Sequence, residues 1–164
     1  MFRFTCQQIF HLKFQFETPI NFLNMKSAPS KHLFVYSSLR KGFHQHEYDY
    51  ITKFFSFVCP AKVKGIVSDV NGELFATPGD VNSFIKGELY KLNDEHDFSY
   101  VFGQLDDYEG LITEQGERPL FRRELIRVSK DEEESTDAWI FWYNGDVSGK
   151  PVITSGGDIV EFPG

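Results

Sequence analysis

Apolar and polar positions along this chain alternate in short runs cut by Gly, Pro, Asn and Asp, which predicts many short strands and few helices. His32 to Tyr36 is an apolar run that breaks at Ser37-Ser38 and is closed off by Lys41-Gly42, the pattern of a buried strand emptying into a loop. From Ala61 to Val70 the residues Val63, Gly65 and Val67 alternate with Lys62 and Lys64. Asn71-Gly72 follows, a strong hairpin signal because both turn positions tolerate positive φ, and Glu73 to Thr77 returns as the partner strand. After a turn at Pro78-Gly79-Asp80, Ser83 to Leu92 sets Phe84, Lys86, Glu88 and Tyr90 on one face and Ile85, Gly87 and Leu89 on the other. Phe121 to Val128 and Thr136 to Tyr143 read as two more strands, joined by a solvated acidic turn over Asp131 to Ser135. Asn144-Gly145 turns out of the second, and Ser155 to Asp158 places one more turn in the tail.

Two segments carry helical spacing instead. Tyr48, Ile51, Phe54 or Phe55, and Val58 predict a short helix over 48–57, ended by Pro60. Phe98, Val101, Phe102 and Leu105 fall at i, i+3, i+4 and i+7, one apolar stripe. Asn93-Asp94 supplies its N-cap, Glu95 and Asp97 sit where the helix dipole favours acids, and Gly110 is its C-terminal stop. Strict βαβ alternation is missing, so the pattern predicts an α+β domain on a curled or closed sheet, not a doubly wound parallel one.

The 164 residues fit one domain with a real core, without an internal repeat or an interdomain linker. The first 24 residues read differently: Phe2, Phe4, Phe10, Phe14, Phe16 and Phe22 appear with little charge and no lasting period. Gln7, Gln8, His11, Lys13 and Gln15 interrupt any signal-like apolar block, so 1–24 is expected to be an extension, packed as an appendage or loose, ahead of a domain over 25–164. The formal net charge of −7 argues against nucleic-acid binding, which runs on clustered Lys and Arg, and no apolar run is long enough to span a bilayer. Cys6 and Cys59 form neither a metal-ligand spacing nor a disulfide framework, so a reducing, cytoplasmic setting is the expectation. His44 and His46 lack a carboxylate or cysteine at ligand spacing and read as surface histidines rather than a metal site.

Two segments carry candidate chemistry. One further step of the stripe beyond Leu105 lands on Glu109, which aims this acid inward while Asp106 and Asp107 point elsewhere. Partial burial disfavours the anion, and a helix C-terminus presents carbonyls of partial negative charge; both would raise its pKa toward a useful general acid/base. The plainer alternative is a glutamate that frays outward beside Gly110. At the exit of the first strand, Tyr36-Ser37-Ser38-Leu39 offers successive N–H groups and two hydroxyls, able to hold a carboxylate or an oxyanion. An ordinary serine turn is the plainer alternative there. Arg122 and Arg123 alternate across a strand, so at most one faces a pocket, where it could balance Glu109 or grip a substrate carboxylate; a surface ion pair is an equal alternative.

In this order the residues resemble the γ-glutamylcyclotransferase-like superfamily, particularly its AIG2-like branch. The carrying segments are Tyr36 to Gly42 (family Y-G-[ST]-L-[RK]-x-G), Gly87-Glu88-Leu89-Tyr90 (G-E-L-Y) and Leu105 to Gly110 (L-D-x-x-E-G). Phe121-Arg122-Arg123 and Ala138 to Tyr143 (A-[WY]-x-Y-x-Y) complete five motifs in register over about 32 to 145. The resemblance implies an α+β fold, a small, mostly antiparallel or mixed β-barrel with flanking helices. It implies an enzyme that converts a small γ-glutamyl amine or amino acid to 5-oxoproline plus the free amine. Glu109 would be the general acid/base, the Tyr36, Ser37, Ser38 and Leu39 turn would hold the substrate, and Tyr143 would line the pocket. No metal or cofactor is expected, because the nucleophile is tethered to the electrophile. A small γ-glutamyl molecule is the expected partner, with no nucleic acid and no membrane, in a monomer or homodimer.

The chain departs from the family pattern at Ser37, where the family has glycine, and at Phe121, where a tyrosine is common. If the turn needs positive φ, Ser37 costs about 1–2 kcal/mol and its Cβ crowds the cradle. Two alternatives therefore stay open: a non-catalytic small-ligand-binding relative of the same fold, and an interaction protein using its N-terminal and tail aromatics.

Overall fold

The computed structural model describes residues 29–36, 46–79, 83–130, 134–153 and 159–160. The extension over 1–24, the Ser37 to Gly42 part of the first motif and the tip of the acidic turn at 131–133 lie outside the described residues. The elements run β1 (His32–Val35), α1 (His46–Phe54), β2 (Phe55–Lys64), β3 (Ile66–Val70), β4 (Glu73–Thr77) and β5 (Phe84–Leu92). A 3₁₀ turn (Glu95–Asp97), α2 (Phe98–Tyr108), β6 (Phe121–Ser129), β7 (Ser135–Tyr143) and β8 (Ile159–Val160) follow.

Five strands close into a mixed barrel in the order β1-β7-β6-β2-β5, with β5 pairing back onto β1. The β1–β7 pairing is parallel, and the other four seams are antiparallel. Strand β8 adds in parallel to the outer half of β5, and β3–β4 stands off as a separate hairpin. Its turn is the Asn71-Gly72 signal as read, with φ of 60° and 93° at the two positions and the Gly72 N–H capped by Asp69 Oδ1 at 2.7 Å.

Period-2 alternation builds two cores from the same strands. Phe34, Val63, Ile85, Leu89, Val128, Ala138, Ile140 and Trp142 fill the barrel interior. Leu33 and Val35, Tyr90 and Leu92, and Phe141 face outward and are covered by Ile51 of α1 and by Val101, Phe102 and Leu105 of α2. The apolar stripe of α2 is thus the lid of an outer core, and Asp94 caps the 3₁₀ turn ahead of it through the His96 N–H at 2.9 Å.

Closure of the barrel depends on one missing side chain. A Cβ on Gly87 would stand 2.3 Å from the Val35 carbonyl oxygen and 2.4 Å from Phe34 Cζ, so only glycine lets β5 approach β1 this closely.

Two readings from the sequence are corrected. The first helix ends at Phe54, and Phe55 to Pro60 is strand, not helix. Phe55 is buried beneath α2, its ring 5.9 Å from Phe102, while Ser56, Phe57 and Val58 after it are exposed. Pro60 does not end a helix: it lies in β2 opposite Glu88, just past a register shift between Phe57 and Cys59. Among the described residues β2 meets β6 only at Lys62↔Ser129, so Pro60 occupies a largely unpaired edge where its missing N–H costs little. The run 61–70 is also two strands rather than one, broken at Gly65.

Candidate active site

Helix α2 delivers Glu109 at its C-cap, with φ −78° and ψ 4°, and its N–H bonds the Leu105 carbonyl at 2.9 Å. Gly110 follows at φ +67°; its N–H reaches the Asp107 carbonyl at 3.1 Å, and the Leu111 N–H reaches the Asp106 carbonyl at 2.8 Å. This pair of bonds is a Schellman stop, which needs a left-handed residue directly after Glu109. Leu111 then packs into the outer core that holds Leu105. The helix end is therefore pinned on both sides of Glu109, and the carboxyl is held inward rather than frayed into solvent.

Burial pushes the Glu109 carboxyl up from 4.5 to about 7. The cause is loss of hydration. The carbonyls of Leu105, Asp106 and Asp107 at the helix end accept the capping N–H groups. Among the described residues no cation pairs with Glu109.

Tyr36 stands at the exit of β1 and packs against the barrel interior, its ring 6.3 Å from that of Trp142. Its hydroxyl donates to the Phe141 carbonyl on β7. Burial first, and the Glu109 charge second, lift the phenol above its ordinary range, so it stays neutral at physiological pH. That interaction brings the sequence candidates Tyr36 and Glu109 to one end of the barrel. Ser37, Ser38 and Leu39 lie outside the described residues.

Tyr143 closes β7 and is built into an aromatic group. Its ring stacks on Phe75 of β4 at 4.0 Å and lies edge-on to Phe121 at 6.0 Å. A Cβ on Gly110, directly after Glu109, would lie 4.0 Å from Leu120, whose carbonyl takes the Asn144 N–H at 2.9 Å. Phe75 was not singled out from sequence, because only the fold brings the β3–β4 hairpin over the end of β7.

The two arginines resolve toward ion pairs. Arg122 bonds Glu124 on its own strand at 2.6 Å and the Tyr143 carbonyl at 3.2 Å. Arg123 pairs with Asp106 at 3.1 Å and does not balance Glu109. Asp106, expected to point away, is thus drawn against the barrel wall, and its carboxyl is raised by burial and lowered by Arg123.

Comparison with known proteins adds the family. A family model described as gamma-glutamyl cyclotransferase, AIG2-like, matches residues 33–158. Among solved structures, the uncharacterized protein PH0828 from Pyrococcus horikoshii is 23% identical with a TM-score of 0.50, covering 77% of this chain and 88% of that one. An AIG2-like protein from Mus musculus is 18% identical with a TM-score of 0.52, covering 74% of this chain and 84% of its own. YkqA from Bacillus subtilis is 23% identical with a TM-score of 0.49 over 70% of this chain, which spans only 36% of YkqA. No curated protein sequence matches. At these identities the likenesses to the Pyrococcus and mouse structures speak for the fold, a mixed closed barrel with a few helices.

Proposed function

We propose, from the premise that this chain belongs to the gamma-glutamyl cyclotransferase, AIG2-like family, that it cyclises a small γ-glutamyl amine or amino acid. In this reading the substrate α-amine attacks its own γ-carbonyl carbon. A C–N bond forms within the glutamyl group, the γ-amide C–N bond breaks, and the products are 5-oxoproline and the free amine. Glu109 takes a proton from the attacking nitrogen and returns it to the leaving one, so no net acid or base is consumed. The Tyr36, Ser37, Ser38 and Leu39 turn holds the glutamyl moiety through main-chain N–H groups, and Tyr143 lines the approach. Tethering supplies the proximity, and a single proton carrier suffices.

The observation that supports this most is the carboxyl of Glu109, partly buried, unpaired with any cation among the described residues, and lifted to about 7. An acid at that value is half ionised at neutral pH and exchanges protons in both directions. Its closeness to Tyr36, which opens the proposed anchoring turn, supports placing substrate between the two.

One specific feature favours a second reading, a binding module of the same fold without catalysis: Ser37 stands where the family has glycine. The two are separated by assaying 5-oxoproline release from a panel of γ-glutamyl amines and amino acids, with Glu109→Gln beside the wild type. The enzyme reading expects release by the wild type and a loss of about 10²–10⁴-fold in the variant. Ligand binding without release by either protein selects the binding module, and full activity in the variant removes Glu109 from the mechanism.

A further inference from the structure

We infer that Asp106 and Arg123 are positioning residues for Glu109: their ion pair clamps the last two turns of α2 to the barrel wall and so sets where the glutamate carboxyl is held. The inference rests on the proposed role of Glu109 for its functional meaning, but not for its physical test.

The clamp has several parts that converge. Arg123 leaves β6, where it pairs opposite Phe141, and its guanidinium lies 5.0 Å from the ring centres of both Phe102 and Trp139. From that seat Nη1 bonds Asp106 Oδ2 at 3.1 Å and also donates to the Phe102 carbonyl at 3.4 Å. One cation thus holds α2 at two levels, one turn apart. Both side chains are 21% exposed, so neither charge is freely hydrated. The second Asp106 oxygen, Oδ1, is buried with no partner among the described residues. Such a carboxylate tolerates its site only while Arg123 is present, because removing one partner of a desolvated pair leaves an uncompensated charge.

Asp106 is also wired into the stop itself. Its carbonyl takes the Leu111 N–H, and Glu109 lies three residues on, on the same side of the helix. A shift of Asp106 therefore moves the turn that carries Glu109, and outward movement rehydrates the carboxyl. Among the described residues, Tyr36 of β1 interacts electrostatically with that carboxyl, Asp106 precedes Glu109 by three residues on α2, and Arg123 of β6 pairs with Asp106.

The test reads Glu109 directly in the substrate-free protein. Carboxyl-carbon NMR of glutamate-labelled protein follows its titration, with the signal assigned by its loss in Glu109→Gln. A mere nearby charge and a clamp predict opposite signs: losing the Arg123 cation by itself stabilises the protonated acid and raises the midpoint. Losing the clamp lets water reach Glu109 and lowers it. The charge-balanced double variant Asp106→Leu/Arg123→Met is expected to drop the midpoint by about one pH unit or more. Arg123→Lys, which keeps the charge but loses the fork and the stacking, is expected to give a smaller drop in the same direction. Midpoints that stay put or rise in these variants overturn the clamp. Because no turnover is involved, a falling midpoint in a protein that releases no 5-oxoproline would uphold the clamp and sink the enzyme reading, and the reverse outcome would do the opposite.

Discussion

The phenol of Tyr36 and the carboxyl of Glu109 share one end of the barrel, where burial raises both and the Glu109 charge raises the phenol further. Tyr36 donates to the Phe141 carbonyl, which fixes the ring at the exit of β1. The Glu109 charge adds to burial in keeping that phenol neutral. A neutral donor beside a carboxyl lifted to about 7 is an arrangement in which one proton is easily moved and the other is not.

Replacing the phenol tests the first half of that relationship. Tyr36→Phe keeps the ring against Trp142 but leaves the Phe141 carbonyl without this donor, at an expected cost of about 1 kcal/mol in urea unfolding. An unchanged midpoint of unfolding would show that water replaces the phenol at no cost.

The buried carboxyl has a consequence for stability, with a definite sign. Its value is raised in the folded protein, from 4.5 to about 7, so the native state holds a proton that the unfolded chain gives up. Stability is favoured below about 4.5, falls as pH rises toward 7, and stays reduced above that. The gap corresponds to roughly 3 kcal/mol as an upper figure. Glu109→Gln is therefore expected to be more stable than the wild type at pH 8, with the advantage shrinking by pH 5. Thermal unfolding across this range checks it, and parallel curves for the two proteins would count against the raised carboxyl.

Turnover should show the same group. If Glu109 is the base, kcat/KM rises with pH along a limb centred near 7, because only the anion accepts the amine proton. Glu109→Gln should remove that limb, whereas a limb due to the substrate α-amine would survive the substitution. A limb near 4.5 would mean an exposed, ordinary glutamate.

Closure at Gly87 is a separate and sharper expectation. Gly87→Ala puts a methyl group into backbone and ring atoms less than 2.5 Å away, and the atom nearest to it is a carbonyl that cannot step aside. A loss of about 3 kcal/mol or more is expected in denaturant unfolding, with the β1–β5 amides losing exchange protection first. Wild-type stability would mean that the two strands do not approach as described.

Much of this fold is legible along the chain because it is local. The Asn71-Gly72 turn, the α2 stripe and its glycine stop each depend on residues a few positions apart and form where the pattern places them, while Asp94, expected to cap α2, caps the 3₁₀ turn ahead of it. The failures have a common cause. Helical spacing carries the first helix through Phe55 to Phe57, and burial beneath Phe102 decided for strand at Phe55. Pro60 reads as a helix breaker, yet a bulge and a sparsely paired edge make room for it within β2. For the site, periodicity placed Glu109 on the inward face, but how far burial raises its carboxyl depends on the strands around it. The Asp106–Arg123 pair left no trace in the spacing, since its members come from a helix and a strand with a loop between them.

By itself the sequence determined the alternation of strands, the amphipathic helix α2, the acid at its end and the motifs that mark the family, because these are matters of side-chain period and backbone preference. Only the tertiary structure decided which faces of those strands enclose a core, which strand closes on β1, and how dry the Glu109 carboxyl is. Those depend on elements far apart in the chain meeting and expelling water, and hydration is a property of the assembled surroundings rather than of any residue.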